Sequence, residues 1–358
     1  MRNTINASRD CGAEKERKWG RNAMKVLVIG GTQFIGRAIV DELLTSGDEV
    51  TLFHRGKTNP DLFPEATHLL GDRNVDLSTL ARGTWDATID PSAYFPRQVR
   101  ELATALGGRG GRYVHISSVS AYDTMTTPGM NEDSPLATLD DPTTEVVNDK
   151  TYGGLKALCE VATNEVFGPG GPGWSGEEPS IVRPTYVAGP HDHTGRFTWW
   201  VERIARGGRV LAPGPRDNPF QSIDVRDLAR FVGVLAHDAS GGVFHASAPV
   251  PPFTFEDFLL EAINQVGPED CELTWIDAAP LLSAGVGISE WPLWEALDEG
   301  RLVLTIDSSR AINAGLQLRP IGETIRDVRA QEVLTPTVKL KEMGISADKE
   351  AELLDTLG

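Results

Sequence analysis

The feature that most constrains the fold is a short β-branched run that leads directly into glycines and then into a helical pattern. Lys25–Ile29 (KVLVI) is typical of a buried parallel strand, and Phe34–Thr45 has apolar residues at helical spacing. A strand that ends in glycines and opens a helix presents backbone N–H groups and a helix dipole to an anion. The stretch Val28–Arg37 (VIGGTQFIGR) therefore predicts a dinucleotide-binding turn, although Gln33 stands where such turns have a middle glycine.

Within this turn, Gly30 is expected to allow the tight bend and Gly36 the close packing of the helix on the sheet. Gln33 must swing its side chain outward or donate a hydrogen bond to the pyrophosphate. Six residues of the turn are predicted to contact the cofactor: Gly30, Thr32, Gln33, Phe34, Ile35 and Gly36.

The residues after the second predicted strand, Glu49–Phe53, bear on which cofactor is bound. NAD enzymes usually place a carboxylate there for the ribose 2′-hydroxyl, but this chain continues His54-Arg55-Gly56-Lys57-Thr58. Arg55 and Lys57 would attract a 2′-phosphate. NADP(H) is therefore favoured, and NAD(H) remains possible.

The rest of the chain predicts an α/β protein. Further strands are expected at Ala66–Leu70, Trp85–Asp90, Arg112–Ser117 and Ser180–Val187, with helices at Pro96–Leu106 and Asp149–Phe167. This alternation indicates a Rossmann-type doubly wound parallel sheet, with a smaller C-terminal α+β substrate lobe. The expected divisions are a disordered extension over residues 1–23, a dinucleotide-binding domain over 24–190 with a returning segment near 221–250, and a mainly substrate-binding lobe over 191–358.

A candidate catalytic pair lies on the helix predicted after the fifth strand. Tyr152 and Lys156 are four residues apart and share a helix face. An ammonium group close to a phenol is expected to lower the pKa of Tyr152 and make it a general acid and base. Ser118 follows the fifth strand, at the carboxyl edge where open α/β sheets bind ligands, and could hold a substrate oxygen against Tyr152.

The chain resembles the short-chain dehydrogenase/reductase superfamily, in its extended or atypical branch, which includes the NAD-dependent epimerase/dehydratase proteins. The matching segments occur in the expected order: GGTQFIG (Gly30–Gly36), GDR (Gly71–Arg73), the strand end at Asp90, HISSVSAY (His115–Tyr122), YGGLK (Tyr152–Lys156), RPTYVAGP (Arg183–Pro190) and QSIDVRDLA (Gln221–Ala229). Together they are specific for the superfamily and only weakly specific for a reaction.

The resemblance implies a role for each matching residue. Ser118, Tyr152 and Lys156 would form the catalytic triad, and Lys156 would also bind the nicotinamide ribose. Asp72 would contact the adenine. Further cofactor contacts are implied at Arg73, Asp90, Ser117, Pro184 and Val187. In such enzymes a hydride passes between the nicotinamide and a carbinol carbon, while the tyrosine handles the hydroxyl proton.

Two departures from the family pattern narrow the reaction. Ser118 is followed by Val119-Ser120, whereas sugar 4,6-dehydratases carry Asp-Glu after the equivalent residue, which argues against that reaction. Gln33 gives the GGT-x-F-x-G turn of atypical members, which chloroplast stem-loop-binding proteins share. RNA binding is disfavoured because the formal net charge is -17.

The substrate is expected to be a polar small molecule, such as a sugar or nucleoside derivative. Candidate substrate contacts are Tyr94, Ser120, Tyr122, Tyr186, His193, Arg196 and Gln221. The histidines around Asp192 do not suggest a metal site, because no third ligand with suitable spacing is visible.

Three functions stay open. The sequence slightly favours an NAD(P)-dependent oxidoreductase with net redox chemistry. The alternatives are an epimerase that retains its cofactor through a transient keto intermediate, and a non-catalytic dinucleotide sensor. The three scattered cysteines and the absence of an apolar leader or span suggest a cytoplasmic protein without nucleic-acid or membrane partners, acting as a monomer or homodimer.

Overall fold

A computed structural model describes residues 22–123, 128–238, 240–286, 290–294, 304–337, 340 and 343–358. The expected N-terminal extension lies outside these residues except for Asn22 and Ala23, and Cys11 lies outside them too. Among the helices that the structure describes, none is both long and apolar enough to cross a membrane.

The described chain alternates strands and helices up to β6 and becomes less regular beyond it. The strands are β1 (Lys25–Ile29), β2 (Glu49–His54), β3 (Thr67–Leu70), β4 (Ala87–Asp90), β5 (Arg112–Ile116), β6 (Ser180–Pro184), β7 (Tyr186–Ala188), β8 (Arg209–Pro213), β9 (Ser222–Asp224), β10 (Gly242–Ala246) and β11 (Glu272–Ile276). The helices are α1 (Phe34–Ser46), α2 (Pro96–Leu106), α3 (Tyr152–Phe167), α4 (Arg196–Ala205), α5 (Val225–His237), α6 (Phe255–Val266), α7 (Ala278–Ser283), α8 (Ser309–Asn313), α9 (Ile321–Leu334) and α10 (Ala347–Leu357).

Seven of the described strands form one parallel sheet in the order β3-β2-β1-β4-β5-β6-β10. Val26 and Val28 of β1 pack with α1 and α5 on one face, whereas Leu27 and Ile29 pack with α2 and α3 on the other. A strand buried on both faces needs a continuous apolar run, which KVLVI supplies. The predicted doubly wound parallel sheet is therefore confirmed.

The strand predicted over Ser180–Val187 is divided in the structure. β6 ends at Pro184 and pairs with β5 and β10, whereas β7 begins at Tyr186 and pairs with β9 in a separate two-stranded sheet. Proline has no N–H to continue the ladder, so the chain can leave the main sheet at this point. The break carries β7 toward the segments that follow.

A second hydrophobic core, called here the tryptophan core, contains the buried side chains of Trp199, Trp200, Trp291 and Trp294. It is formed by α4, α6, α9, α10 and the parallel pair β8–β11. In contrast, α5 packs against α1, and β10 extends the main sheet beside β6. The domain boundary at residue 190 stays a prediction.

Candidate active site

The turn between β1 and α1 is built for close approach. Gly30 has a φ of +109°, which favours glycine. A Cβ on Gly36 would lie 2.9 Å from the backbone nitrogen of Gly31, so only glycine lets the helix approach the turn this closely. Helix α1 has no side-chain cap and no acidic residue in its first turn, so its first N–H groups stay available to an anion.

Gln33 fits this turn without strain. Its φ of -143° and ψ of 138° are extended backbone that any residue can adopt, and its side chain is exposed. The middle glycine of the usual motif is therefore not required by the backbone here.

A cleft of about 660 Å³ opens over the glycine turn and along the ends of β1, β2, β3 and β4. Its wall includes most of the predicted cofactor residues and two predicted substrate residues: Gly30, Thr32, Gln33, Phe34, Ile35, Gly36, Arg55, Lys57, Asp72, Arg73, Tyr94 and His193. The structure thus brings together residues from five separate segments of the chain.

At the β2 end of the cleft, two basic side chains are exposed. Arg55 and Lys57 belong to the wall of the cleft. His54 is taken up by the protein, since its Nδ1 accepts a hydrogen bond from the backbone N–H of Gly56 (3.1 Å) and its Nε2 lies 2.9 Å from Nδ1 of His68. Burial, with the neighbouring His68, lowers the pKa of His54. Arg55 and Lys57 are therefore the cationic groups that this loop presents to a ligand.

Arg73 and Asp90, both predicted as cofactor contacts, bind each other below the cleft. Arg73 Nη1 donates to Asp90 Oδ1 (2.7 Å) and Nη2 donates to Oδ2 (2.9 Å), and the aspartate is fully buried. Burial alone would raise the pKa of Asp90, but the charge and hydrogen bonds of Arg73 hold it well below its usual range. Nη1 of Arg73 also donates to Ser92 Oγ (2.8 Å), so this pair supports the floor of the cleft.

The start of α3 brings Tyr152 beside the end of β5. The Asn148 side chain accepts hydrogen bonds from the N–H groups of Lys150 and Thr151, so a turn precedes the helix, which begins later than the predicted Asp149. A Cβ on Gly153 would lie 2.2 Å from the carbonyl oxygen of Ser120. This glycine, which the sequence analysis did not single out, lets the first helical turn approach the segment after β5.

Ser118 lies close enough to Tyr152 for its hydroxyl to influence the phenol. Ser118 Oγ accepts the backbone N–H of Ser120 (3.1 Å), which leaves its own proton free to be donated. Burial raises the pKa of Tyr152, while the nearby Ser118 hydroxyl and the charge of Arg196 lower it. The net pKa is above its ordinary value, contrary to the lowering that the Tyr-x-x-x-Lys spacing predicts.

Lys156 explains this difference. Its buried ammonium donates to two carbonyl oxygens: that of Ala93 (2.9 Å), in the segment after β4, and that of Ile116 (2.7 Å), at the end of β5. Burial lowers the pKa of Lys156. The side chain is held against the sheet, with two of its three N–H donors used by backbone carbonyls.

The remaining predicted residues fall into two groups. Tyr94 is exposed, with its ring centroid 6.4 Å from that of Tyr152, and Arg196 lies over the ring of Tyr186 at 5.1 Å. Of these three residues, only Tyr94 belongs to the wall of the cleft. Six further predicted residues also lie outside that wall and are buried or half-buried: Ser117, Ser120, Tyr122, Pro184, Val187 and Gln221. Gln221, for example, is fully buried and donates to the carbonyl of Ile306 (3.2 Å).

Sequence reasoning missed a buried polar network next to Ser118. Arg183 Nη2 donates to Glu160 Oε2 (2.6 Å), and both side chains are 3% exposed. The hydroxyl of Ser117 donates to Glu160, and Arg183 Nη1 donates to the hydroxyl of Tyr122 (2.5 Å). Burial raises the pKa of Tyr122 to about 12. The spacing of Glu160 four residues after Lys156 was the available signal, since it continues the same helix face.

Within the described residues, no group of three or more histidine, cysteine or acidic side chains is placed to hold a metal ion.

The fold and this cleft agree with what comparison of the sequence shows. The model of the "NAD dependent epimerase/dehydratase family" matches residues 26–246. The chain belongs to this family. The predicted superfamily resemblance and the prediction of an NAD-dependent enzyme are therefore confirmed.

Similar proteins include a curated relative from Arabidopsis thaliana, "Chloroplast stem-loop binding protein of 41 kDa b", 27% identical over 242 residues. That match covers 62% of this chain and only 58% of the relative's length. Among solved structures, a UDP-N-acetylglucosamine 4-epimerase from Methanobrevibacter ruminantium, in complex with UDP-N-acetylmuramic acid, has a TM-score of 0.64 at 16% identity and covers 88% of this chain and 99% of its own.

A Bordetella bronchiseptica enzyme solved with NAD+, WbmH, has a TM-score of 0.61 at 17% identity, covering 88% of this chain and all of its own. At these identities the likeness concerns the fold. The residues of this chain themselves fit a dinucleotide. Gly36 lets α1 approach the glycine turn closely, and the uncapped N–H groups at the start of α1 face the cleft, where they can bind a pyrophosphate.

Proposed function

We propose that this protein catalyses reversible hydride transfer at a secondary alcohol of a sugar-like small molecule, with Tyr152 as the general acid and base. The observation that carries the proposal is the placement of the Ser118 and Tyr152 side chains close together, at the carboxyl edge of the sheet that holds the glycine turn. Two hydroxyls at this edge can together bind one substrate oxygen, and one of them can move its proton.

When bound, a nicotinamide cofactor would accept a hydride from the carbinol carbon or return it. The chain's residues would handle the rest. Ser118 would donate a hydrogen bond to the substrate oxygen and fix its position. Tyr152 would act as a base only after it has lost its own proton: the phenolate, favoured by the nearby Ser118 hydroxyl and the charge of Arg196, would take the hydroxyl proton as the substrate becomes a ketone, and the phenol would return it in the reverse step. Lys156, anchored to two carbonyls, has one N–H donor left for the cofactor ribose.

The overall outcome favoured here is epimerisation, in which the ketone would be reduced again on its opposite face without exchange of the cofactor. The similar folds of named sugar-nucleotide epimerases support this outcome over the net redox chemistry that the sequence alone slightly favoured. Net oxidation or reduction stays a second candidate, because Arg55 and Lys57 at the cleft mouth suit NADP(H), a cofactor typical of exchanging reductases.

Binding of a nucleic-acid stem-loop, which the name of the Arabidopsis relative suggests for that protein, is not favoured for this chain. That relative matches over only part of its length, and a net charge of -17 opposes binding to a phosphate backbone. We therefore do not propose that this chain binds stem-loops.

The test begins with cofactor binding and hydride transfer measured separately. Purified protein is titrated with NADH and NADPH by fluorescence, and its bound nucleotide is identified after denaturation. Tyr152→Phe should bind cofactor as wild type does and should lose about 10²–10⁴-fold in turnover of a sugar-nucleotide panel. Tightly retained NAD+ with no net redox would support the epimerase, whereas NADPH preference lost in Arg55→Ala would support the reductase. Unchanged turnover in Tyr152→Phe would refute the proposed chemistry.

A further inference from the structure

Arg196 differs from two other arginines near the active site. Arg73 and Arg183 each form an ion pair with a carboxylate at 2.7 Å or less. Arg196 is half-buried, yet within the described part of the chain its guanidinium forms no ion pair and no hydrogen bond. A partly desolvated cation without a partner is costly unless a ligand supplies the opposite charge.

Arg196 lies three residues after His193, which belongs to the wall of the cleft. It is the first residue of α4 and lies over the ring of Tyr186, with its Cζ 5.1 Å from the ring centroid. A guanidinium stacked on a ring keeps its edge N–H donors free, and those donors match a carboxylate in bidentate geometry. Arg196 is also near enough to Tyr152 for its charge to lower the pKa of that phenol.

Asp192, an acidic side chain close enough to Arg196 to feel its charge, already has hydrogen-bond donors of its own. The Asp192 carboxylate accepts hydrogen bonds from the backbone N–H of Thr194 (2.8 Å) and from its hydroxyl (3.0 Å). It influences Arg196 only through space, and burial raises the pKa of Asp192. One guanidinium with a carboxyl group behind it balances a monoanion better than a phosphate dianion.

We infer that Arg196, supported by Tyr186, binds a carboxylate on the substrate close to the carbinol carbon that reacts at Tyr152. This inference rests on the proposed function and narrows its substrate class from sugars in general to acidic sugars, such as uronic acid derivatives. Tyr186 acts as a platform that holds the guanidinium plane, and Arg196 then selects the substrate.

The first test uses wild-type protein loaded with NAD+. Isothermal titration compares matched pairs that differ only in the carboxylate: D-glucuronate with D-glucose, and UDP-glucuronate with UDP-glucose. The acidic member should bind at least about tenfold more tightly in each pair. Equal affinity, tighter binding of the neutral sugar or no binding in every pair would overturn the inference. Failure of the protein to bind any nicotinamide cofactor would instead overturn the proposed function.

The second test asks whether the preference for the acidic sugar depends on the Arg196 side chain. Arg196→Met should remove the carboxylate preference, and Arg196→Lys should retain part of it, because lysine keeps the charge and loses the planar fork. Arg206→Met, at the exposed C-terminal end of the same helix, is the matched control and should keep the wild-type preference. A carboxylate preference that survives in Arg196→Met would also overturn the inference.

Discussion

At the scale of single residues, the chain uses some predicted ligands for its own structure. The family resemblance implies cofactor contacts at Arg73 and Asp90, but these residues are 17 positions apart and pair with each other. Local patterns cannot show such a pair, because it depends on which strands become neighbours in the sheet. The glycine turn was predictable since its whole geometry is local to one strand and one helix.

The Arg73–Asp90 pair makes stability depend on pH. Asp90 has an ordinary pKa of 3.8 and a lower one in the folded protein, so its contribution is complete above pH 3.8 and is lost as the pH falls further. We expect Asp90→Asn to lower the free energy of unfolding at pH 7 by about 3–5 kcal/mol, because it leaves a buried guanidinium without its counter-charge. Urea unfolding at pH 7 and at pH 3 should show the gap to wild type narrowing at the lower pH.

The surface variant Asp61→Asn is the matched control for this experiment and should change stability little at either pH. A gap between wild type and Asp90→Asn that stays constant from pH 7 to pH 3 would contradict the linkage.

At the scale of elements, the sequence predicts where helices and strands lie, and the structure corrects where they begin and turn. The turn at Asn148 delays α3, and Pro184 divides one predicted strand into β6 and β7. Both corrections place side chains at the active site: Tyr152 starts its helix, and Tyr186 leaves the main sheet. Such boundaries depend on side-chain hydrogen bonds and on a missing N–H, which periodicity does not register.

The first turn of α3 provides an element-scale prediction. In Gly153→Ala the new Cβ would meet the Ser120 carbonyl oxygen at 2.2 Å, and because that oxygen is backbone, the helix start and the segment after β5 must separate. Tyr152 would then shift from Ser118, and we expect turnover to fall about 10²-fold while cofactor affinity is kept. Steady-state rates and cofactor titration of the same preparation check this.

Val161→Ala, at an exposed position of the same helix, should leave both quantities unchanged. Helix propensity alone would make Gly153→Ala stabilising by about 1 kcal/mol, so a more stable and fully active variant would show that the close approach has no role.

At the scale of the whole molecule, the cleft and the tryptophan core are formed by different sets of elements. The cleft is built almost entirely on the main sheet, whereas the tryptophan core belongs to α4, α6, α9, α10 and the β8–β11 pair. Arg196 and Tyr186 lie where the chain passes from the first to the second. The sequence predicts a domain division at residue 190, but contacts that close the second core join segments more than a hundred residues apart, such as Arg203 and Glu350.

One such contact ties the C-terminal helix to the tryptophan core. Arg203 Nε donates to Glu350 Oε2 (2.7 Å), and both side chains are less than 10% exposed. Glu350 also accepts the backbone N–H of Leu211 (3.1 Å). Removing this carboxylate leaves a buried cation without its counter-charge and a buried N–H without a partner, so we expect Glu350→Ala to destabilise the tryptophan core by about 3–5 kcal/mol.

Two signals separate the cores in this variant. Tryptophan fluorescence during urea unfolding reports mainly on the second core, where Trp199, Trp200, Trp291 and Trp294 lie, and its transition should move to lower urea. Cofactor affinity reports on the cleft and should stay within about twofold of wild type, because distant sites act independently.

Saturating cofactor should then protect the amides of β1 and α1 from hydrogen exchange more than those of α10. Equal protection of all three, with cofactor affinity lost in Glu350→Ala, would show that the two cores unfold as one unit and that the cleft depends on the C-terminal helix.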